Sequence, residues 1–148
     1  MLISSKSINL LSEKLDSCDE VFCSGLFLSA RWFVVSQLDY DGIQLIVLPD
    51  KESAEYCAAD LYNLIDGDKV FFLPDSGRAL EKSNYKSSLG VQRTSAIGKI
   101  AEGRGEQTFV ITYPSAIEEP VPDSQKIKES MLELRVGDEI SHEDIVNA

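Results

Sequence analysis

Ile43-Gln44-Leu45-Ile46-Val47-Leu48-Pro49-Asp50 is the stretch on which the fold turns. Five of its first six residues are apolar and Pro49-Asp50 closes the run, the pattern of a strand covered on both faces in a parallel sheet. A helical pattern follows at once: Ala54, Cys57, Ala58, Leu61, Tyr62 and Ile65 recur at i, i+3, i+4 over residues 51–65, with Asp50 placed to cap the N-terminus. Asp66-Gly67-Asp68 stops that helix, and Val70-Phe71-Phe72-Leu73 with Pro74 reads as the next buried strand. Strand, helix and strand in this order predict a β-α-β crossover and a parallel sheet.

Toward the C-terminus the alternation continues. Residues 75–87 are polar and loop-like, and 88–100 read as a helix through Leu89, Val91, Ala96, Ile97 and Ile100, weakened by Gly90 and Gly98. Phe109-Val110-Ile111 with flanking threonines predicts a further strand that ends at Tyr113-Pro114. The composition shifts after Ile117: Glu118-Glu119-Pro120-Val121-Pro122-Asp123 is stiff and acidic and is expected to lie outside the core. Residues 1–117 are thus one α/β domain, and 118–148 a linker and the start of a second. In that second part 131–136 alternate like a half-exposed strand, and Ser141 with Asp144 resembles a capping box for a helix. That helix has room for only about two turns before Ala148, so the chain is read as a fragment.

Toward the N-terminus, Ile3, Ile8, Leu10, Leu11 and Leu15 predict a leading helix. Residues 20–23 read as a short strand, Gly25 opens a turn, and the apolar segment 30–38 predicts a helix buried against the sheet. This strand, turn and helix have the layout of a phosphate-binding loop without its chemistry. Such a loop needs glycines that let backbone N–H groups close on phosphate, a Lys for the β/γ oxygens and a hydroxyl for magnesium. In Gly25-Leu26-Phe27-Leu28-Ser29-Ala30-Arg31-Trp32 the second glycine is Ala30, the Lys is Arg31 and the hydroxyl position is Trp32. An indole cannot ligand a hard cation. Arg31 has two readings, a side chain that pairs with an acid and a residual anion contact.

The chain has 148 residues, 43% of them apolar and 26% charged, and its net charge of −11 repels nucleic acid over most of the surface. The charge is uneven. Arg78, Lys82, Lys86, Arg93, Lys99 and Arg104 fall in one stretch whose only acids are Glu81 and Glu102. That stretch is either a solvated helix face or a partner surface, for which Arg78, Lys82, Lys86, Arg93 and Lys99 are the candidates. Cys18, Cys23 and Cys57 are odd in number and irregularly spaced, which predicts reduced thiols in a cytoplasmic protein, with Cys23 and Cys57 as core residues. The lone His142 leaves no plausible Cys-His or Ser-His pair and no zinc knuckle. No apolar run approaches the ~18 residues of a membrane span.

Several of these segments, taken in order, resemble the amino-terminal end of the bacterial transcription-repair coupling factors (the Mfd family) and, more distantly, the first domain of the excision-repair helicase subunit UvrB. The resemblance rests on the broken loop Gly25-Leu26 and Ser29-Ala30-Arg31, on Ile46-Val47-Leu48-Pro49-Asp50-Lys51-Glu52-Ser53-Ala54, on Phe72-Leu73-Pro74-Asp75, on Thr112-Tyr113-Pro114-Ser115-Ala116-Ile117, and on Leu134-Arg135-Val136-Gly137-Asp138-Glu139-Ile140-Ser141. It covers nearly the whole chain. Leu28 departs from the family's loop glycine, and residues 75–87 are too short for the DNA-clamping hairpin of the helicase. The resemblance implies a degenerate P-loop NTPase-like (RecA-like) three-layer fold with helices on both faces of a parallel sheet and a C-terminal strand-helix appendage. It also implies a parent that is an ATP-dependent DNA translocase acting in nucleotide excision repair, with ATP, magnesium and DNA bound by its motor domains. This chain would then be a non-catalytic scaffold with no cofactor or metal of its own, in which Gly25, Ser29 and Arg31 are the relic of the loop. Its partners would be neighbouring domains, UvrA through the adjacent second domain, and RNA polymerase through other parts of the parent. Two alternatives are a divergent nucleotide-binding domain in which Arg31 replaces the Lys, and a receiver-type domain. The receiver fits poorly, because Tyr113 stands before Pro114 where phosphotransfer needs a Lys.

Overall fold

The structure, a computed structural model, describes residues 5–38, 40–76, 84–102 and 107–121. Helix α1 is Ser5–Ser17, α2 is Ala30–Ser36, strand β1 is Ile43–Val47 and α3 is Lys51–Leu64. After a single 3-10 turn at Gly67–Lys69 come β2 (Val70–Phe72), α4 (Asn84–Glu102), β3 (Thr108–Thr112) and α5 (Pro114–Glu118). The three strands form one parallel sheet in the order β1-β3-β2. Ile43 stands beside Thr108 and Val47 beside Thr112, while Val70 stands beside Phe109 and Phe72 beside Ile111.

The last strand in sequence is therefore the central one, and every residue of β3 is buried. Alternation along it sends Phe109 and Ile111 to one face and Val110 to the other. The first face packs with Ala54, Cys57, Ala58 and Leu61 of α3 and with Trp32 of α2. On the second, Val110 and Leu73 pack with Ala96 and Ile97 of α4. Helices thus lie on both faces, as the apolar pattern predicts.

The start of α3 is fixed by its cap. Asp50 has extended backbone dihedrals, and its carboxylate accepts from the Ser53 N–H at 2.8 Å. That bond, then the Ser53 hydroxyl, holds its carboxyl below the usual carboxylate range.

Four expectations are corrected. Residues 20–23 form no strand: none of the described strands pairs with them, and Phe22 is 88% exposed. A β-prone tetrapeptide without a ladder partner has too little to hold it. Strand β1 is not covered on both faces, for Leu45 is 56% and Val47 50% exposed. It lies at an edge of the sheet, and α4 packs over β2 instead. Helix α2 packs chiefly on α3 and joins the core beneath the sheet through Trp32, but it is only partly buried, with Trp32 and Val34 turned inward and Phe33 outward. Helix α4 begins at Asn84, four residues before the helical pattern predicted from residue 88. The predicted strand at 131–136 and the helix after Ser141 lie outside the described residues.

Candidate functional site

The loop from Gly25 to α2 has the sequence layout of a phosphate-binding loop. Gly25 has φ +79°, a conformation that suits glycine, and Leu28 adopts φ +50° despite its side chain, at a cost of about 1 kcal/mol. The backbone then turns inward on itself. The Ala30 N–H donates to the Phe27 carbonyl at 3.1 Å, and the Arg31 N–H to the Leu28 carbonyl at 3.3 Å. In a phosphate-binding loop the amides at this point face the ligand. Here those of Ala30 and Arg31 are spent within the turn. Ser29 makes no side-chain cap. The exposed guanidinium of Arg31 lies 4.7 Å from the centroid of the Trp32 ring, and its Nε donates weakly to the Leu28 carbonyl at 3.3 Å. Among the described residues the contacts recorded for the Arg31 guanidinium are with its own neighbour Trp32 and with the Leu28 carbonyl. Beside this turn, Ser29, Ala30, Phe33, Asp60, Asn63 and Leu64 border a shallow groove of about 350 Å³ between α2 and α3.

The basic stretch divides. Arg78 and Lys82 lie outside the described residues, as does the side chain of Lys86. Lys99 is on α4, paired with Glu102 at 3.4 Å on the surface. Arg93 is not a surface residue at all: it is 7% exposed, which removes it from any partner face. Its Nη1 donates to the carbonyls of Pro74 at 2.7 Å and Ala116 at 3.1 Å, and its Nη2 to that of Glu119 at 3.1 Å. Nε stands 3.7 Å from Glu119 Oε2. The sequence held a signal for this. Leu89, Arg93 and Ala96 are spaced i, i+4, i+7, which puts Arg93 on the buried stripe of α4 between two residues that are themselves buried.

Arg93 belongs to a polar network at the carboxyl end of the sheet, the end at which open α/β folds bind their ligands. The Asp75 N–H donates to Tyr113 Oη at 3.1 Å, and Tyr113 Oη donates to Asp75 Oδ2 at 3.0 Å. The Ser76 N–H donates to Glu119 Oε2 at 2.6 Å. Below them the Thr112 hydroxyl donates to the Leu73 carbonyl at 3.0 Å. Burial pushes the Tyr113 phenol up to about 12, so it stays protonated as a donor at neutral pH. Glu119, assigned by composition to the linker, is thus bonded into the sheet's end. The side chains of this network bond one another and the backbone between β2 and α5, and so hold those chain segments together.

The cysteines divide as well. Cys57 is buried, and burial pushes its thiol up to about 12, which makes it inert. Cys23 is exposed and not a core residue, because the strand that would have buried it is missing. Among the described residues no three His, Cys, Asp or Glu side chains converge as metal ligands, and His142 lies outside them. No helix among the described residues is long and apolar enough to cross a membrane. No family model matches the chain, and no curated protein or solved structure matches it either.

Proposed function

We propose that this chain is a non-catalytic scaffold domain: the degenerate, P-loop-like first domain of a cytoplasmic coupling factor of the Mfd type, part of its UvrB-like module. In this reading the domain supports recruitment of UvrA to stalled RNA polymerase by shape, positioning the domain that follows it. ATP hydrolysis and DNA translocation belong to other domains of the parent. The order of family-like segments along the sequence supports the parentage. The observation that carries the non-catalytic part is the turn before α2, where the amides of Ala30 and Arg31 donate to Phe27 and Leu28. A phosphate would have to break those bonds and would gain neither a lysine nor a metal hydroxyl.

Calorimetric titration of the chain with Mg·ATP should give no binding heat at micromolar concentrations. Micromolar affinity would overturn the scaffold reading in favour of a nucleotide-binding domain with Arg31 in place of the lysine. Parentage has its own test. Removal of residues 1–117 from the intact parent should abolish repair coupling while ATP hydrolysis persists, and loss of hydrolysis itself would count against a purely structural role.

A further inference from the structure

The segment from α5 to Glu119 crosses the carboxyl end of the sheet and is tied down from two sides. On one side Arg93 reaches out of α4 and gathers three carbonyls from two separate parts of the chain: Pro74 after β2, and Ala116 and Glu119 on the crossing segment. On the other, the Glu119 carboxylate accepts from the Ser76 N–H at 2.6 Å while facing Arg93 Nε at 3.7 Å. The ion pair is well shielded, with the Arg93 and Glu119 side chains 9% and 12% exposed. Apolar contact on this segment is slight by comparison, since Ala116 is its one buried side chain and Ile117 and Val121 are about half exposed.

We propose that residues 114–119 form a strap latched by Arg93 and Glu119, which sets the direction in which the chain leaves the sheet and can open as a unit without unfolding the sheet. Small apolar burial makes opening inexpensive once the polar ties are broken, whereas the planar fork of a single arginine makes those ties act together. Any load on the chain beyond Pro120 acts first on Glu119. From there it passes through Arg93 to α4 and through Ser76 to the exit from β2. The strap therefore couples the placement of whatever follows it to the carboxyl end of the sheet, and this holds whether or not the proposed parentage is right.

Amide hydrogen exchange on the full chain tests this with two variants. Glu119→Gln keeps an acceptor for the Ser76 N–H but removes the charge facing Arg93, and Arg93→Lys keeps a charge but cannot reach three carbonyls with one nitrogen. In both, exchange over 114–121 and at Ser76 should accelerate by about tenfold or more, with segments 43–48 and 54–61 within about twofold of the parent chain. Unchanged exchange in the strap would overturn the latch, and so would equal acceleration across β1 and α3. A second measurement needs no substitution. With urea rising through the native range, strap amides of the unmodified chain should exchange through a small opening of weak urea dependence. Strap amides that exchange only with global unfolding would overturn the proposal.

Discussion

Arg31 and Arg93 are both arginines that the sequence singles out as functional candidates, and the structure uses them in opposite ways. Arg31 stands at the start of a seven-residue helix, exposed, its guanidinium stacked on the neighbouring Trp32. Arg93 stands mid-helix and buried, with the carbonyls of Pro74, Ala116 and Glu119 around it. The difference lies in what each backbone leaves unsatisfied. The turn before α2 consumes its own amides, so a cation there has nothing to organise. At the carboxyl end of the sheet, β2 and α5 leave carbonyls pointing at one spot, and only a donor with arginine's geometry reaches all of them. A positive charge in a sequence therefore says little about binding until the backbone groups around it are known.

The contrast can be broken by substitution, and the largest effect should come from Arg93→Met. It takes the guanidinium from three carbonyls and removes the charge facing the Glu119 carboxylate, and breaking a buried pair from one side costs about 3–5 kcal/mol. Urea denaturation followed by circular dichroism would measure it. A loss below about 1 kcal/mol, the value of an ordinary surface pair, would mean that the carboxyl end repacks without the arginine.

Tyr113→Phe should cost about 1 kcal/mol through the bonds to Asp75. It also has a pH signature. The Tyr113 phenol rises from an ordinary value of 10.0 to about 12 on folding, and the Cys57 thiol from 9.0 to about 12. Both groups hold their protons more tightly when folded, so their contribution is fully present below pH 9 and is lost as pH rises toward 12. In the Phe variant the fall above pH 10 should be shallower, because one of the raised groups is gone while the Cys57 thiol and the Tyr62 phenol, also raised by burial, remain. Stability measured from pH 8 to 11.5 would read this, and identical profiles would remove Tyr113 as a contributor.

A smaller effect is expected from Asp50→Ala, which deletes the cap on α3 and should lower the melting temperature by a few degrees at neutral pH. The folded carboxyl lies below its ordinary value of 3.8. The contribution of the cap is therefore present above about pH 4 and lost as pH falls through the folded value, so the gap between variant and parent should shrink as the solution is made more acid. A difference that persists undiminished in acid would assign the effect to something other than the ionised cap. The smallest change of all should follow Arg31→Ala, within about 0.5 kcal/mol, because an exposed cation over an indole contributes little. A loss comparable to that of Arg93→Met would erase the contrast between the two arginines.

The legible parts of the molecule are those in which neighbours in sequence are also neighbours in space. The Asp50 cap and the periodic apolar positions of 51–65 specify α3 through bonds a few residues long, and the run 43–48 marks β1 by its composition although its ladder partner is the distant β3. The stripe Leu89, Arg93, Ala96 puts Arg93 on the buried face of α4, whereas the density of basic residues around it suggests a surface position. The strand predicted at 20–23 failed for the converse reason: its local preference was right for a strand, yet none of the described strands lies beside it. For the proposed site the sequence carried the losses at Ala30, Arg31 and Trp32. It did not carry the inward turn that uses up the amides of Ala30 and Arg31.

The sequence by itself determined the α/β class, the parallel sense of the strands and the missing loop chemistry, because period, turn residues and the absence of particular side chains are local properties. Tertiary structure alone decided that β3 is central, that β1 keeps a half-exposed apolar face, and that Arg93 and Glu119 meet across 26 residues of chain. Each of these depends on which surfaces come together when the sheet closes, and the pairing of distant surfaces is not written in any one segment.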